Sequence, residues 1–151
     1  MFELDEARLV AWGRTIGRVV APPVVFALRG ALGAGKSVLA RAIARGAGIT
    51  AAMPSPTFNL LFQYDTPYVT VNHIDLYRLD DESEVWELGW RELGADNQIV
   101  LIEWPERAES LLPAPRWDIF IAACETDPQA RMISLVPVAD PPALPLPGPR
   151  A

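Results

Sequence analysis

Lysine is nearly absent from this chain. Twelve of its thirteen basic residues are arginine, and the single lysine is Lys36. With no second lysine there can be no Asn-Lys-x-Asp segment, which excludes the base-reading signature of a Ras-like GTPase. Cys124 is the only cysteine, so no disulfide can form within the chain. His73 is the only histidine, which leaves no Cys/His metal cluster and no spacing that supports a Ser-His-Asp arrangement. Positive charge is also scarce: the formal net charge is -6. Holding nucleic acid by electrostatics needs a surplus of Lys and Arg, so any RNA must be carried by a partner. No apolar run reaches the ~20 residues that cross a bilayer, because Arg, Asp or Glu interrupts each one. The acidic start, with Glu3, Asp5 and Glu6, is unlike a secretory leader, and the expectation is a soluble protein of the reducing cytoplasm, away from membranes.

What is present is a chain that is half apolar, enough for one core. Residues 5–20 repeat apolar positions at helical spacing, with Asp5 or Glu3 to cap the start and Pro22-Pro23 to end it. Val24-Val25-Phe26-Ala27-Leu28 is a short continuous apolar run, the pattern of a strand buried on both faces. A second helix follows over 37–47. Residues 57–64 and 68–74 are rich in aromatic and β-branched side chains around an Asp65-Thr66-Pro67 turn, predicting a hairpin. Residues 80–88 predict a short acidic helix with Val85, Trp86 and Leu88 inward. Residues 98–102 predict another buried strand, and 117–124 with 131–138 a closing hairpin. The expected domain is 1–139. From Asp140 onward the last twelve residues include five prolines and no periodicity, predicting a disordered tail over 140–151.

Between the first buried strand and its helix lies Gly30-Ala31-Leu32-Gly33-Ala34-Gly35-Lys36-Ser37, a G-x-x-x-x-G-K-S phosphate loop (Walker A) in its required strand-to-helix context. The glycines let backbone N–H groups wrap a polyphosphate. Lys36 is expected on the β- and γ-phosphates, and the Ser37 hydroxyl on magnesium. Such a site needs an acid at a neighbouring strand tip. Glu103 follows a run that is apolar on both faces and takes the magnesium role. Asp75 follows a run of mixed polarity, read as a less buried strand; it either orients water or the outer magnesium shell, or only caps the next turn. Thr57, in Ser55-Pro56-Thr57-Phe58, is either a switch-type threonine near the γ-phosphate or turn chemistry. His73 is read as packing or bonding locally, and Trp104 as the aromatic best placed to feel nucleotide state. These elements predict an α/β, P-loop NTPase-like three-layer sandwich with a mixed, largely parallel central sheet and antiparallel hairpin strands.

Several motifs in this order resemble those of the TsaE (YjeE) family: the phosphate loop with Leu39 and Arg41, Ser55-Pro56-Thr57-Phe58, His73-Ile74-Asp75-Leu76-Tyr77-Arg78-Leu79, and Glu103-Trp104. The resemblance covers about residues 5–138. It implies a bacterial ATPase that works with TsaD and TsaB in placing threonylcarbamoyl on tRNA, touching the tRNA only through those partners. ATP hydrolysis in that family supports turnover of the partner complex. The resemblance assigns phosphate binding to Gly33, Ala34, Gly35, Lys36 and Ser37, magnesium to Ser37 and Glu103, and a catalytic or switch contribution to Thr57 and Asp75. It brings Glu6 and Arg131 to the nucleotide base. Val38 stands where the family has a second threonine, which removes a hydroxyl from the α-phosphate side. A small-molecule P-loop kinase is the rival reading, although no arginine-rich lid is visible, and a nucleotide-sensing module without catalysis is a third. The acidic 80–88 segment, with Trp86 and Trp90, is a candidate docking face for the partners.

Overall fold

The computed structural model of the chain describes residues 1–54 and 60–149. Its elements are β1 (Phe2–Asp5), α1 (Glu6–Val19), β2 (Val24–Arg29), α2 (Lys36–Gly46), β3 (Leu61–Asp65), β4 (Thr70–Asp75), β5 (Gln98–Glu103), β6 (Arg116–Ala123) and β7 (Ala130–Val138). They form a seven-stranded sheet in the order β1-β7-β6-β2-β5-β4-β3. The four central strands, β6, β2, β5 and β4, are parallel, and β1, β7 and β3 pair antiparallel at the two sides.

The continuous apolar runs of β2 and β5 occupy the middle of this sheet because both of their faces are covered. Phe26, Leu28, Ile99 and Leu101 face α1 and α2, while Val25, Val100 and Ile102 face the opposite layer. That opposite layer consists of short 3₁₀-helical segments, Glu82–Leu88, Trp90–Glu92 and Pro105–Leu111, rather than α-helices. On the helical side, α1 and α2 touch backbone to backbone. A Cβ on Gly17 would lie 1.9 Å from the Ile43 carbonyl oxygen, and one on Gly46 2.0 Å from that of Arg14. The two helices therefore cross at a distance that only glycine allows at those positions.

Four expectations change. Residues 2–5 form a strand that the helical periodicity next to it hid, and Asp5 ends that strand while capping α1 through Arg8 N–H at 2.8 Å. β4 is buried throughout Thr70–Ile74 despite its polar residues, because Thr70, Asn72 and His73 find a place inside the sheet layer. Trp86 is 45% exposed rather than inward; the 3₁₀ pitch turns Val85 into the core with Leu88 packed at its edge, and leaves Trp86 under the Arg91 guanidinium, 5.1 Å from its ring centre. Residues 140–149, expected to be disordered, run as a strap over α1 and β6. Three side-chain donors hold it: Trp117 Nε1 on Pro142 O, Trp12 Nε1 on Pro145 O and an Arg8 guanidinium nitrogen on Gly148 O, at 2.7 to 2.8 Å. Leu144 packs on the core beside them. Prolines leave every carbonyl free of internal pairing, so a polyproline segment offers acceptors to such donors. The first strand of the expected hairpin is described only from Leu61; its earlier part falls among residues 55–59, outside the described residues.

Candidate functional site

β2 delivers the chain to the glycine loop at the top of the sheet's centre. Gly30 lies so close to β6 that a Cβ would sit 2.4 Å from the Ile121 carbonyl oxygen. Gly35 then starts α2 from a left-handed conformation at φ 114°, with no side-chain cap on the helix. The first-turn N–H groups of α2 are therefore not closed off by a capping side chain, and they face the concave side of the loop. Lys36, in that first turn, is 4% exposed. Its Nζ donates to the carbonyl oxygens of Gly30 and Ala31 and stands 3.7 Å from the centre of the Trp104 ring. Burial pulls the lysine pKa down, and the negative charges of Glu103, Glu106 and Asp75 oppose that pull. An ammonium bonded to two neutral carbonyls and a ring face is suited to pairing with an incoming anion.

Two carboxylates stand at the same level on adjacent strands, because β4 and β5 run parallel with Asp75 opposite Glu103. Glu103 is 2% exposed, and both of its oxygens are engaged. Oε1 accepts from the Ser37 hydroxyl at 2.7 Å, and Oε2 lies 2.5 Å from His73 Nε2. Asp75 is half-buried and accepts the Tyr77 backbone N–H at 2.9 Å. Burial raises its pKa, and the Tyr77 bond holds it partly back. A hydroxyl and a carboxylate side by side are hard oxygen donors of the kind a small divalent cation takes. Among the described residues no group of three or more His, Cys, Asp or Glu forms a metal cluster. A cation here would thus complete its shell from water and an anionic ligand.

These groups line a cavity of about 310 Å³, bounded by the 32–38 loop, Asp75, Tyr77, Glu103 and Trp104. Gly33, Ala34, Gly35, Lys36, Ser37, Val38, Asp75 and Glu103 all line this cavity. Trp104 adopts a left-handed backbone at φ 56°, unusual for a bulky residue, and its ring meets that of Tyr77 at 4.9 Å. A smaller adjoining cavity of about 90 Å³ joins Glu6 and Arg131 to Gly33, Ala34, Gly35 and Val38. Arg131 also anchors the loop, donating from Nε to Ala34 O at 2.9 Å. Thr57 lies outside the described residues. Sequence reasoning did not pair His73 with Glu103, nor place Tyr77 on the cavity wall. The signal for His73 was available: a lone histidine two residues before an acid, on a strand beside the one that ends in Glu103.

Residues 4–133, a span that includes every candidate residue from Glu6 to Arg131, match the family described as threonylcarbamoyl adenosine biosynthesis protein TsaE. The chain belongs to the TsaE family. The tRNA threonylcarbamoyladenosine biosynthesis protein TsaE of Rickettsia bellii is 37% identical over 117 residues, 77% of this chain and 81% of the relative. The protein of the same name from Treponema pallidum is 38% identical over 109 residues, covering 72% and 78%. The Bacillus subtilis TsaE is 38% identical over 106 residues, covering 70% and 66%. Among solved structures, that of Bacillus subtilis YdiB superposes with a TM-score of 0.69 at 23% identity, over 89% of this chain and 82% of the other, which shows a shared fold. The strap over 140–149 lies beyond the part that matches TsaE. No helix among the described residues is long and apolar enough to cross a membrane.

Proposed function

We propose that this chain is a magnesium-dependent ATP hydrolase that supports turnover of the TsaD–TsaB complex in tRNA threonylcarbamoyladenosine formation. The observation that carries the reading is the buried Lys36 ammonium beside the Ser37–Glu103 hydrogen bond, at the wall of one cavity. The loop amides of Gly33, Ala34 and Gly35 and the Lys36 ammonium suit the phosphates of ATP, and Ser37 with Glu103 suits Mg2+. Bound magnesium would neutralise charge on the phosphates. Asp75, facing the same cavity, suits the attacking water, and Thr57 is retained as a switch residue. Val38 offers only a methyl surface to the α-phosphate side, while Glu6 and Arg131 border the cavity suited to the base.

The net charge of -6 fits a subunit that leaves tRNA to TsaD and TsaB and acts beside them in the cytoplasm. Reconstitution with TsaD, TsaB, threonylcarbamoyl-adenylate and tRNA tests the reading. The wild type should sustain many rounds of modification, and Lys36→Ala should lower ATP hydrolysis on the order of 10²-fold and abolish repeated rounds. Equal modification with and without this chain contradicts the proposal. Phosphate transfer to a small molecule in the absence of partners would favour the kinase reading instead, and ATP binding with no hydrolysis under any condition the sensing module.

A further inference from the structure

We infer that His73 is a positioning residue for the cation site: it fixes the plane of the Glu103 carboxylate by donating from Nε2 to Oε2, so that Oε1 stays turned to Ser37. The inference rests on the ATP and magnesium reading of the same cavity, and deepens it by one residue that contacts neither ligand.

The argument begins with burial. The Glu103 and His73 side chains are 3% and 2% exposed, so water cannot satisfy the carboxylate. An unpaired buried carboxylate is costly, and among the described residues two donors, Ser37 Oγ–H and His73 Nε2–H, each take one oxygen. The terminal torsion of a glutamate is broad and roughly two-fold, and a single donor on Oε1 would leave the carboxyl plane free to swing. The second donor on Oε2 removes that freedom. Parallel pairing of β4 with β5 supplies the geometry: His73 is in register with Leu101, two residues before the Asp75–Glu103 pair, and its ring reaches up to the carboxylate from below. With its proton committed to Glu103, the Ser37 hydroxyl keeps its lone pairs for a cation. His73 thus stands one shell behind the site, where partners of a ligating or near-ligating carboxylate typically change metal affinity about 10–100-fold when removed.

Two measurements test this. Because His73 is the only histidine in the chain, its ring nitrogens are single, unambiguous signals in a 15N-labelled sample. The inference expects a protonated, hydrogen-bonded Nε2; an unprotonated Nε2 overturns it. The second measurement is the Mg2+ concentration that half-saturates the enhancement of binding of a non-hydrolysable ATP analogue. His73→Phe, which keeps a ring but removes the donor, should raise that concentration about 10-fold or more while leaving magnesium-free analogue binding unchanged. His73→Gln, which retains a donor on a flexible stem, should recover part of the loss, and it carries the test alone if the Phe variant does not fold. Unchanged magnesium dependence in His73→Phe overturns the inference while leaving the ATP reading intact. Equal losses with and without magnesium overturn it too, by showing a merely structural role, and a Gln variant no better than Phe counts the same way. A wild type that binds no nucleotide overturns the ATP reading and this inference together.

Discussion

The ends of β4 and β5 carry two carboxylates in register, Asp75 and Glu103, yet the fold treats them differently. Glu103 is sunk between strands and held by a hydroxyl and an imidazole; Asp75 is half-buried, accepts the Tyr77 backbone N–H and has a raised pKa. The difference comes from the neighbours of each strand. β5 lies between β2 and β4, so Glu103 emerges beside the glycine loop and the first turn of α2. β4 lies one strand further out, so Asp75 reaches the same cavity from its wall. One acid is fixed through both oxygens, and the other, bonded to the Tyr77 N–H, lines the cavity.

The sharpest way to break this comparison is to neutralise each acid in turn. Glu103→Gln removes the charge and replaces one of the two acceptor oxygens that the Ser37 hydroxyl and His73 use by an amide NH2. It should lower partner-stimulated ATP hydrolysis on the order of 10²–10³-fold. Asp75→Asn keeps an oxygen for the Tyr77 N–H, and its loss in the same hydrolysis assay should be smaller. Equal losses would mean that both acids share one role.

A second prediction serves as a control away from both acids. Removing residues 140–151 deprives Trp12, Trp117 and Arg8 of their carbonyl acceptors and uncovers Leu144's seat on the core. It should cost about 1–3 kcal/mol, seen as a Tm lower by several degrees, while the ratio between the Glu103 and Asp75 effects stays the same. An unchanged Tm would show that the strap contributes nothing to stability.

The smallest expected effect separates the acids by sign. Burial raises the Asp75 pKa above its ordinary 3.8, so the folded chain binds that proton more tightly than the unfolded one. The corresponding stability is present below that ordinary value and is lost as pH rises through the folded-state pKa. Asp75→Asn should therefore match the wild type in acid and exceed it in Tm near neutrality, and melting curves across that range check it. Glu103→Gln should show no such gain, because it takes away one of the two buried acceptor oxygens that Ser37 and His73 bond.

Much of this contrast was legible in the residues. The apolar runs before Lys36 and Glu103 identified the central parallel strands, since only strands covered on both faces tolerate such runs. The glycine loop and Glu103 followed from that. β4 misled because Thr70, Asn72 and His73 are polar yet buried, and the partners of two of them come from other strands: the Asp65 carboxylate for Thr70 and Glu103 for His73. The strap was missed because proline-rich segments carry no periodicity, and the donors that hold it lie on residues over twenty positions away. Trp86 was placed wrongly because helical periodicity of 3.6 was assumed where the chain takes a 3₁₀ pitch.

The most direct test of the account is Mg2+-dependent binding of a non-hydrolysable ATP analogue to the wild type, Glu103→Gln and Asp75→Asn, measured by calorimetry. The account predicts that magnesium tightens binding in the wild type and in Asp75→Asn, and that Glu103→Gln binds the analogue but no longer responds to magnesium. A Glu103→Gln variant with the full magnesium response, or an Asp75→Asn variant that loses it, would contradict the assignment of the cation to Ser37 and Glu103.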